Sequence, residues 1–257
     1  MERNVVKSVG RTLEVLELFE EQRRPLRLHE IYEMLGYPQS STTNLLKSMV
    51  VLGYLNYSRV TRTYLPTARV SSMGRWLFGM MYGQHDFPAM LDRIRAATDE
   101  TVVLAMQNDV FIQYVTVLTP DHEHKVPPPE GTMRAMTDSS AGLALMSQMP
   151  DRKVEKLVRQ IHYYELSPTR VLDIEAVMKE VRWVRHTGYC HWSNHPPGLA
   201  SIAFPLDSQL HGIELAIGVG GLNDRIARKQ YDIIEAMKAE IGRFQASAAG
   251  EVEAAAE

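Results

Sequence analysis

Cysteine is nearly absent from this sequence: among 257 residues only Cys190 carries a thiol. An intrachain disulfide framework is therefore excluded, and a reducing compartment is compatible. Long apolar runs are missing as well. Every strongly apolar stretch is interrupted by charges or turn residues before about 18 positions, so no membrane-spanning helix is expected. The start, Met1-Glu2-Arg3-Asn4, has no apolar signal-peptide core, and a cytoplasmic protein with no membrane partner is the expectation. Nucleotide fingerprints fail too. Gly218-Val219-Gly220-Gly221 gathers glycines, but Asn223 stands where a dinucleotide motif needs its third glycine, and no Gly-Lys-Ser/Thr follows. Ordinary strand-to-helix turn chemistry is the expected explanation, and no cofactor is expected.

What the chain does have is an uneven charge distribution beneath its net −3. Residues 1–75 carry 11 Lys+Arg against 7 Asp+Glu, and the remaining 182 residues carry 17 against 24. A polyanion would meet the first segment favourably and the second unfavourably. At 45% hydrophobic, the length suits two domains better than one.

Residues 8–66 read as a winged helix-turn-helix. Val9, Leu13, Leu16 and Phe19, with Val15 and Leu18 widening the stripe, predict a first helix ending near Glu21. Arg23, Arg24 and Pro25 interrupt it. A second helix over 28–35 places Ile31 and Leu35 on one side, with Gly36 as its tight exit. Pro38 marks the start of a third, in which Leu45, Leu46, Met49 and Leu52 face inward before Gly53 stops it. Its remaining face carries Gln39, Ser40, Ser41, Thr43, Asn44 and Lys47. These are donors and acceptors for base edges (Gln39, Thr43, Asn44) and for the backbone of a nucleic acid (Ser40, Ser41, Lys47). Residues 54–65 predict a two-stranded wing with Arg59 and Arg62 at its tip, suited to phosphates or a minor groove. Three-helix-plus-hairpin units also serve as protein-binding modules, and Ser or Thr at a helix start can simply cap it.

A connecting helix over 67–83, with Val70, Met73, Trp76, Leu77 and Phe78, predicts a domain or subunit contact. Beyond it the pattern gives a helix at 88–97, a hairpin over 101–118, an irregular Pro-rich stretch at 120–130, and helices at 139–146, 152–161 and from 172 to Thr187-Gly188. A strand or loop at 188–192 follows, then strands at 200–206 and 213–219, a final helix at 224–244, and a tail over 246–257 with no apolar face, expected to be disordered. This order predicts an α+β sandwich around an antiparallel sheet.

Several chemistries can be drawn on this second domain. Cys190, His191 and His195 could be drawn as a zinc site, but neighbours on an extended chain point apart. A hydrolytic or metal-dependent enzyme using the Cys190/His195/Ser201 region is the alternative, although Ser201 is in no Gly-x-Ser-x-Gly elbow. A binding role is better supported. The loop from Trp192 to Gly198 leads into Ser201, while Asp138, Ser139 and Ser140 cluster at a helix start. With Met106 and Tyr114 from the hairpin, these could enclose a small apolar molecule. The plain alternative is a Pro/Gly turn and a capped helix.

The chain resembles the IclR family of bacterial transcription regulators. Val6-Lys7-Ser8-Val9 with Arg11, Leu13, Leu16 and Leu18 is similar to the family's first helix. Gly36-Tyr37-Pro38-Gln39-Ser40-Ser41, Leu45-Leu46 and Leu52-Gly53-Tyr54-Leu55 resemble its helix-turn-helix. Thr98-x-Glu100-Thr101-Val102, Gly142, Gly188-Tyr189 and Gly198-Leu199-Ala200-Ser201-Ile202-Ala203-x-Pro205 resemble its effector module. The resemblance spans roughly residues 5–245 in order and implies domains at 1–66, 67–83 (linker helix) and 84–245 (GAF-like α/β effector-binding domain with an antiparallel sheet). It also implies homodimers or tetramers on palindromic double-stranded operators, regulated by small organic acids or aromatic metabolites, and no enzymatic activity. The chain departs from the pattern at Thr43-Asn44, where the family commonly has His-Arg. It departs again at Trp192-Ser193-Asn194-His195, which replace acidic residues, and at Ser201, often Cys. The implied effector set is Met106, Tyr114, Asp138, Ser139, Ser140, Cys190, Trp192, His195 and Ser201, with an aromatic ligand favoured.

Overall fold

In a computed structural model, residues 6–82, 87–122, 127–164, 173–193, 197–206 and 214–254 are described. The chain divides into two units, residues 1–80 and 81–257.

In the first unit, α1 (Lys7–Gln22), α2 (Leu28–Leu35) and α3 (Gln39–Val51) surround a core containing Val15, Leu18, Phe19, Ile31, Leu46 and Met49. Each such side chain, taken out of water, contributes about 1.5–3 kcal/mol. The inward stripe of α1 differs from expectation. Val9 and Leu13 are each 54% exposed. At about 100° per residue they lie away from the Val15-Leu18-Phe19 face that packs on the rest of the unit, with Leu16 at the margin. Leu52 is likewise outside, because α3 ends at Val51 and Leu52 is its C-cap. Gly36 closes α2 with φ +66°, and Gly53 turns the chain after α3 at φ +78°, conformations that a Cβ would strain. The wing strands β2 (Leu55–Ser58) and β3 (Thr63–Pro66) pair antiparallel, and a short strand that periodicity did not suggest, β1 (Leu26–Arg27), adds to β3. The linker helix α4 (Ala68–Tyr82) is tied to the wing at its start. Thr67 donates to the Gly53 carbonyl at 2.6 Å, and the Arg69 guanidinium lies 4.9 Å from the Tyr54 ring centre.

In the second unit, α5 (Phe87–Thr98) precedes the hairpin β4 (Thr101–Asn108) and β5 (Phe111–Leu118), which reverses at Asp109 with φ +55°. After the irregular Pro-rich stretch comes β6 (Met133–Ala135), missed by sequence reading because three residues show no alternation. A single 3₁₀ turn leads to α6 (Ser140–Ser147), then α7 (Asp151–Tyr163) and α8 (Ile174–Thr187). Strands β7 (Cys190–Ser193), β8 (Leu199–Leu206) and β9 (Leu215–Leu222) complete the sheet, and α9 (Asn223–Ala254) ends the described chain. The backbone of α9 stays helical beyond residue 246, where the composition suggested a tail.

All pairs in the sheet are antiparallel, in the order β6-β5-β4-β9-β8-β7. Helices α6, α7 and α8 cover one face, around Ala105, Ile112, Leu143 and Val181. Helices α5 and α9 cover the other, around Ile94, Leu104, Ile217 and Met237. This is the expected sandwich. Arg185 fastens α8 by donating to the Ser147 and Met149 carbonyls and to Asp151. Between α5 and α9, the fully buried Glu100 receives both Arg225 donors, at 2.5 and 2.7 Å, and Lys229 at 3.3 Å. Such a charge is tolerable in the interior only when paired this thoroughly.

Candidate functional site

The exposed side of α3 is chemically prepared for a polyanion. Pro38 has no side chain able to cap the helix, so the first-turn N–H groups stay free of side-chain acceptors. The hydroxyls nearby turn to carbonyls instead. Ser41 and Thr42 donate to the Pro38 carbonyl at 2.9 and 3.0 Å, and Thr43 donates to that of Gln39 at 2.8 Å. The capping explanation for these residues is thereby removed. Gln39, Ser40, Asn44 and Lys47 are exposed, and Ser41 and Thr43 are half-buried. Ser41 also accepts from Arg11 at 3.4 Å, and Arg11 stacks 4.5 Å from the Tyr37 ring centre, fixing the entrance to the helix. Arg59 and Arg62 are exposed on the wing, and Arg62 holds φ +55° at the turn. A recess beside the wing tip joins Arg62 and Thr61 to Arg27 and His29 at the start of α2. Sequence reading missed Arg27 and His29, because only the fold brings them beside the wing.

In the second unit a cavity of about 320 Å³ opens between the sheet and the N-terminus of α6. Tyr114, Asp138, Ser139, Ser140, Trp192 and Ser201 line it, as do Arg134, Thr101 and Val103, which sequence reading did not single out. Its floor is β9. Gly218 pairs with Val103 and Ala203, and Gly220 with Thr101 and Ser201, so these glycines lie inside a central strand and not in a strand-to-helix turn. Each has a distinct packing. A Cβ on Gly218 would come to 3.0 Å from a Val103 methyl, whereas one on Gly221 would come to 2.5 Å from Glu100.

The N-terminus of α6 forms the facing wall. Ser139 caps it by accepting from the Gly142 N–H at 3.0 Å, and a methyl on Gly142 would run into the Met136 carbonyl. Ser201 donates to the Ser140 hydroxyl at 2.8 Å, bridging β8 to the helix. Thr137 donates to the Asp138 carboxylate at 3.2 Å. Burial pushes the Tyr114 hydroxyl above its usual pKa, opposed in part by the nearby Arg134 charge and by hydrogen bonds with Ser139 and Arg134.

Two members of the expected effector set stand elsewhere. Met106 alternates onto the opposite sheet face and packs against the α5/α9 core. Cys190 is buried in the α6/α7/α8 core, where loss of water pushes its thiol up to about 12, with Glu180 adding to the rise. A nucleophilic cysteine needs the opposite shift. His195 lies outside the described residues. His191 is half-buried, its Nε2 has no partner among the described residues, and burial lowers its pKa. Ser201 meets another hydroxyl instead of a base. Among the described residues no three His, Cys, Asp or Glu side chains converge to hold a metal, and no helix is long and apolar enough to cross a membrane.

The same division appears in comparisons with known proteins. The chain is 21% identical over 237 residues to the HTH-type transcriptional regulator XynR of Escherichia coli K12, covering 86% of this chain and 88% of XynR. It is 23% identical over 236 residues to the transcriptional repressor IclR of the same strain, covering 86% and 82%. It is 22% identical over 227 residues to the Pca regulon regulatory protein of Pseudomonas putida, covering 88% and 77%. Among solved structures, IclR of Thermotoga maritima superposes with a TM-score of 0.65 at 14% identity, covering 92% of this chain and 98% of that one. The effector domain of an IclR regulator from Acinetobacter sp. ADP1 superposes with a TM-score of 0.58 at 27% identity, covering 62% and 94%. The profile described as the IclR helix-turn-helix domain matches residues 8–59, and the one described as the bacterial transcriptional regulator IclR C-terminal matches residues 84–243. With an exposed helix-turn-helix in one unit, a lined cavity in the other and both profiles matched in order, the chain belongs to the IclR family of bacterial transcription regulators, which are not enzymes.

Proposed function

We propose that this regulator binds a palindromic operator as a homodimer or tetramer and changes its grip on DNA when a small organic acid, favoured to be aromatic, enters the cavity of the second unit. The decisive observation is that cavity, with Arg134, Tyr114 and a helix N-terminus on its walls. At about 320 Å³ it suits a small molecule. Two α3 helices would enter successive major grooves about 34 Å apart, with Gln39, Thr43 and Asn44 toward bases and Ser40, Ser41, Lys47, Arg59 and Arg62 toward phosphates. Exposed Val9, Leu13, Met73 and Trp76 supply apolar area that self-association would cover. Residues 67–83 would carry the change between the units. A reducing cytoplasm fits a lone, buried thiol.

The test joins sedimentation to DNA binding. Full-length protein is expected to sediment as a dimer or larger species. It should shift a duplex from its own promoter region more strongly than random DNA, and lose affinity steeply with salt. A monomer that ignores duplexes even at low ionic strength would overturn the proposal.

A further inference from the structure

The end of α3 and the start of α4 are joined more closely than the chain between them requires. A helix leaves its last carbonyls without partners, and its aligned peptide dipoles gather partial negative charge there. Past the end of α3, three successive carbonyls receive donors from the entrance to α4. The Arg69 guanidinium donates to the Leu52 carbonyl at 3.1 Å, the Thr67 hydroxyl to that of Gly53 at 2.6 Å, and the Thr67 N–H to that of Tyr54 at 3.0 Å. The same guanidinium lies over the Tyr54 ring, 4.9 Å from its centre. In turn the Thr67 hydroxyl accepts from the Arg69 N–H at 3.3 Å, so one oxygen serves both the first turn of α4 and the turn after α3.

Water could satisfy a helix end as exposed as this one, so capping by itself does not call for a link to α4. What the link adds is direction. A single attachment would leave α4 free to swing about the chain that enters it, whereas three carbonyls and a ring face share no common axis and together fix the angle between the helices. That angle is amplified by length. Helix α4 has 15 residues, about 22 Å, so a swing of about 10° at its start moves its far end by about 4 Å, close to the rise of one base pair. Met73 and Trp76, two of the apolar residues that self-association would cover, stand on this helix.

We infer that Arg69 and Thr67 are positioning residues for operator recognition, holding α3 and α4 as one rigid lever so that the linker helix sets the spacing accepted between two half-sites. This rests on the dimer reading above and adds to it the joint on which spacing depends.

Competition gel shifts with the full-length protein test it. The probes are a duplex from its own promoter region, the same duplex with two base pairs inserted at the centre of the footprint, and one half of it cut at that centre. The insertion turns the second half-site by about 70° and moves it by about 7 Å. The parent is expected to bind the lengthened duplex about tenfold more weakly than the original, and R69A and T67V should reduce that penalty to about threefold or less. T67S, which keeps the hydroxyl, should behave as the parent, and R69K, which keeps a donor but not the flat face, should fall between. Affinity and salt slope on the half duplex should match the parent in every variant, because the residues proposed to touch DNA are unchanged. Circular dichroism verifies folding at the assay temperature; if R69A is unfolded there, T67V and R69K decide.

A parent penalty that persists undiminished in these variants overturns the inference and leaves the dimer reading standing. A half-duplex salt slope lower by about 1 in R69A would make Arg69 a phosphate contact and also overturns it. So does equal weakening on all three duplexes, the mark of a unit merely destabilised. A parent that binds its promoter duplex without any spacing penalty removes the dimer reading, and the inference with it.

Discussion

The amino-terminal unit displays its candidate contacts on the outside of one helix and one turn, whereas the carboxyl-terminal unit gathers its own from every strand of the six-stranded sheet around a hollow. The difference governs what a substitution does. An exposed residue on α3 can change partners without disturbing the core beneath it, because Thr42, Leu46 and Met49 hold the helix independently. A residue in or behind the cavity shares its surroundings with the packing of the whole unit. Function and stability are therefore separable in the first unit and entangled in the second.

The largest test of enclosure concerns Cys190. With the thiol pushed up to about 12, the thiolate at a given pH is roughly a thousandfold scarcer than in the unfolded chain. Alkylation by iodoacetamide at pH 8 is expected to be suppressed by at least that factor in native protein and restored in denaturant, as mass spectrometry would show. Rapid native labelling would mean that the α6/α7/α8 core opens readily, and the contrast between units would weaken.

Next in size is the buried ion cluster. Replacing Arg225 with alanine leaves Glu100 in the interior with Lys229 as its nearest remaining cation, and losing one partner of a buried pair costs about 3 kcal/mol. Differential scanning calorimetry is expected to show the second unit melting earlier and the first unchanged. A common shift of both transitions would show that the units fold as one and would break the comparison.

A sharper result comes from α3. Lys47→Ala should weaken all duplexes alike and reduce the salt slope by about 1. Asn44→Ala should cost about 1–3 kcal/mol on the preferred sequence and little on random DNA. Both should leave unfolding free energy within about 0.5 kcal/mol of the parent, as exposed substitutions do. Competition gel shifts paired with urea denaturation measure both quantities. Should either variant bind operator and random DNA as the parent does, that residue is not a contact.

Legibility in the sequence follows the same divide. The contacts proposed on α3 were readable because helical periodicity assigns every residue a face, and Gly36, Pro38 and Gly53 mark the boundaries. Even there the rule reached too far. Apolar Val9, Leu13 and Leu52 fit an inward pattern but sit outside, since periodicity cannot tell which apolar positions of a helix meet a neighbour or where its last turn ends. For the cavity, local signals found Ser139 as a cap and singled out Trp192, which stands on β7 and not in the loop expected to begin there. They could not find Arg134, whose three-residue strand has no period of its own, nor the place of Gly218 and Gly220 on the cavity floor, which depends on the register of β9 against β4 and β8. Met106 failed for a related reason: in a sheet covered on both faces, both alternating sets are apolar, and Met106 belongs to the other one.

The smallest expected effect is a pH dependence on His191. Burial lowers its pKa, so the folded state holds the ring neutral at a pH where the unfolded chain takes up a proton. The sign follows from linkage. Below the ordinary histidine value of about 6.5 the unfolded state binds more protons, and stability falls as pH decreases toward the folded pKa; above it this contribution is fully present and constant. Because Nε2 has no partner among the described residues, no hydrogen bond at that nitrogen offsets the cost of charging the ring. Melting temperatures measured from pH 7.5 to 5 should therefore decline more in the parent than in His191→Gln, with the two curves parallel above about pH 6.5. Parallel curves throughout would mean that water reaches the ring when it is charged, and that the β7 end of the sheet is less enclosed than the cavity side.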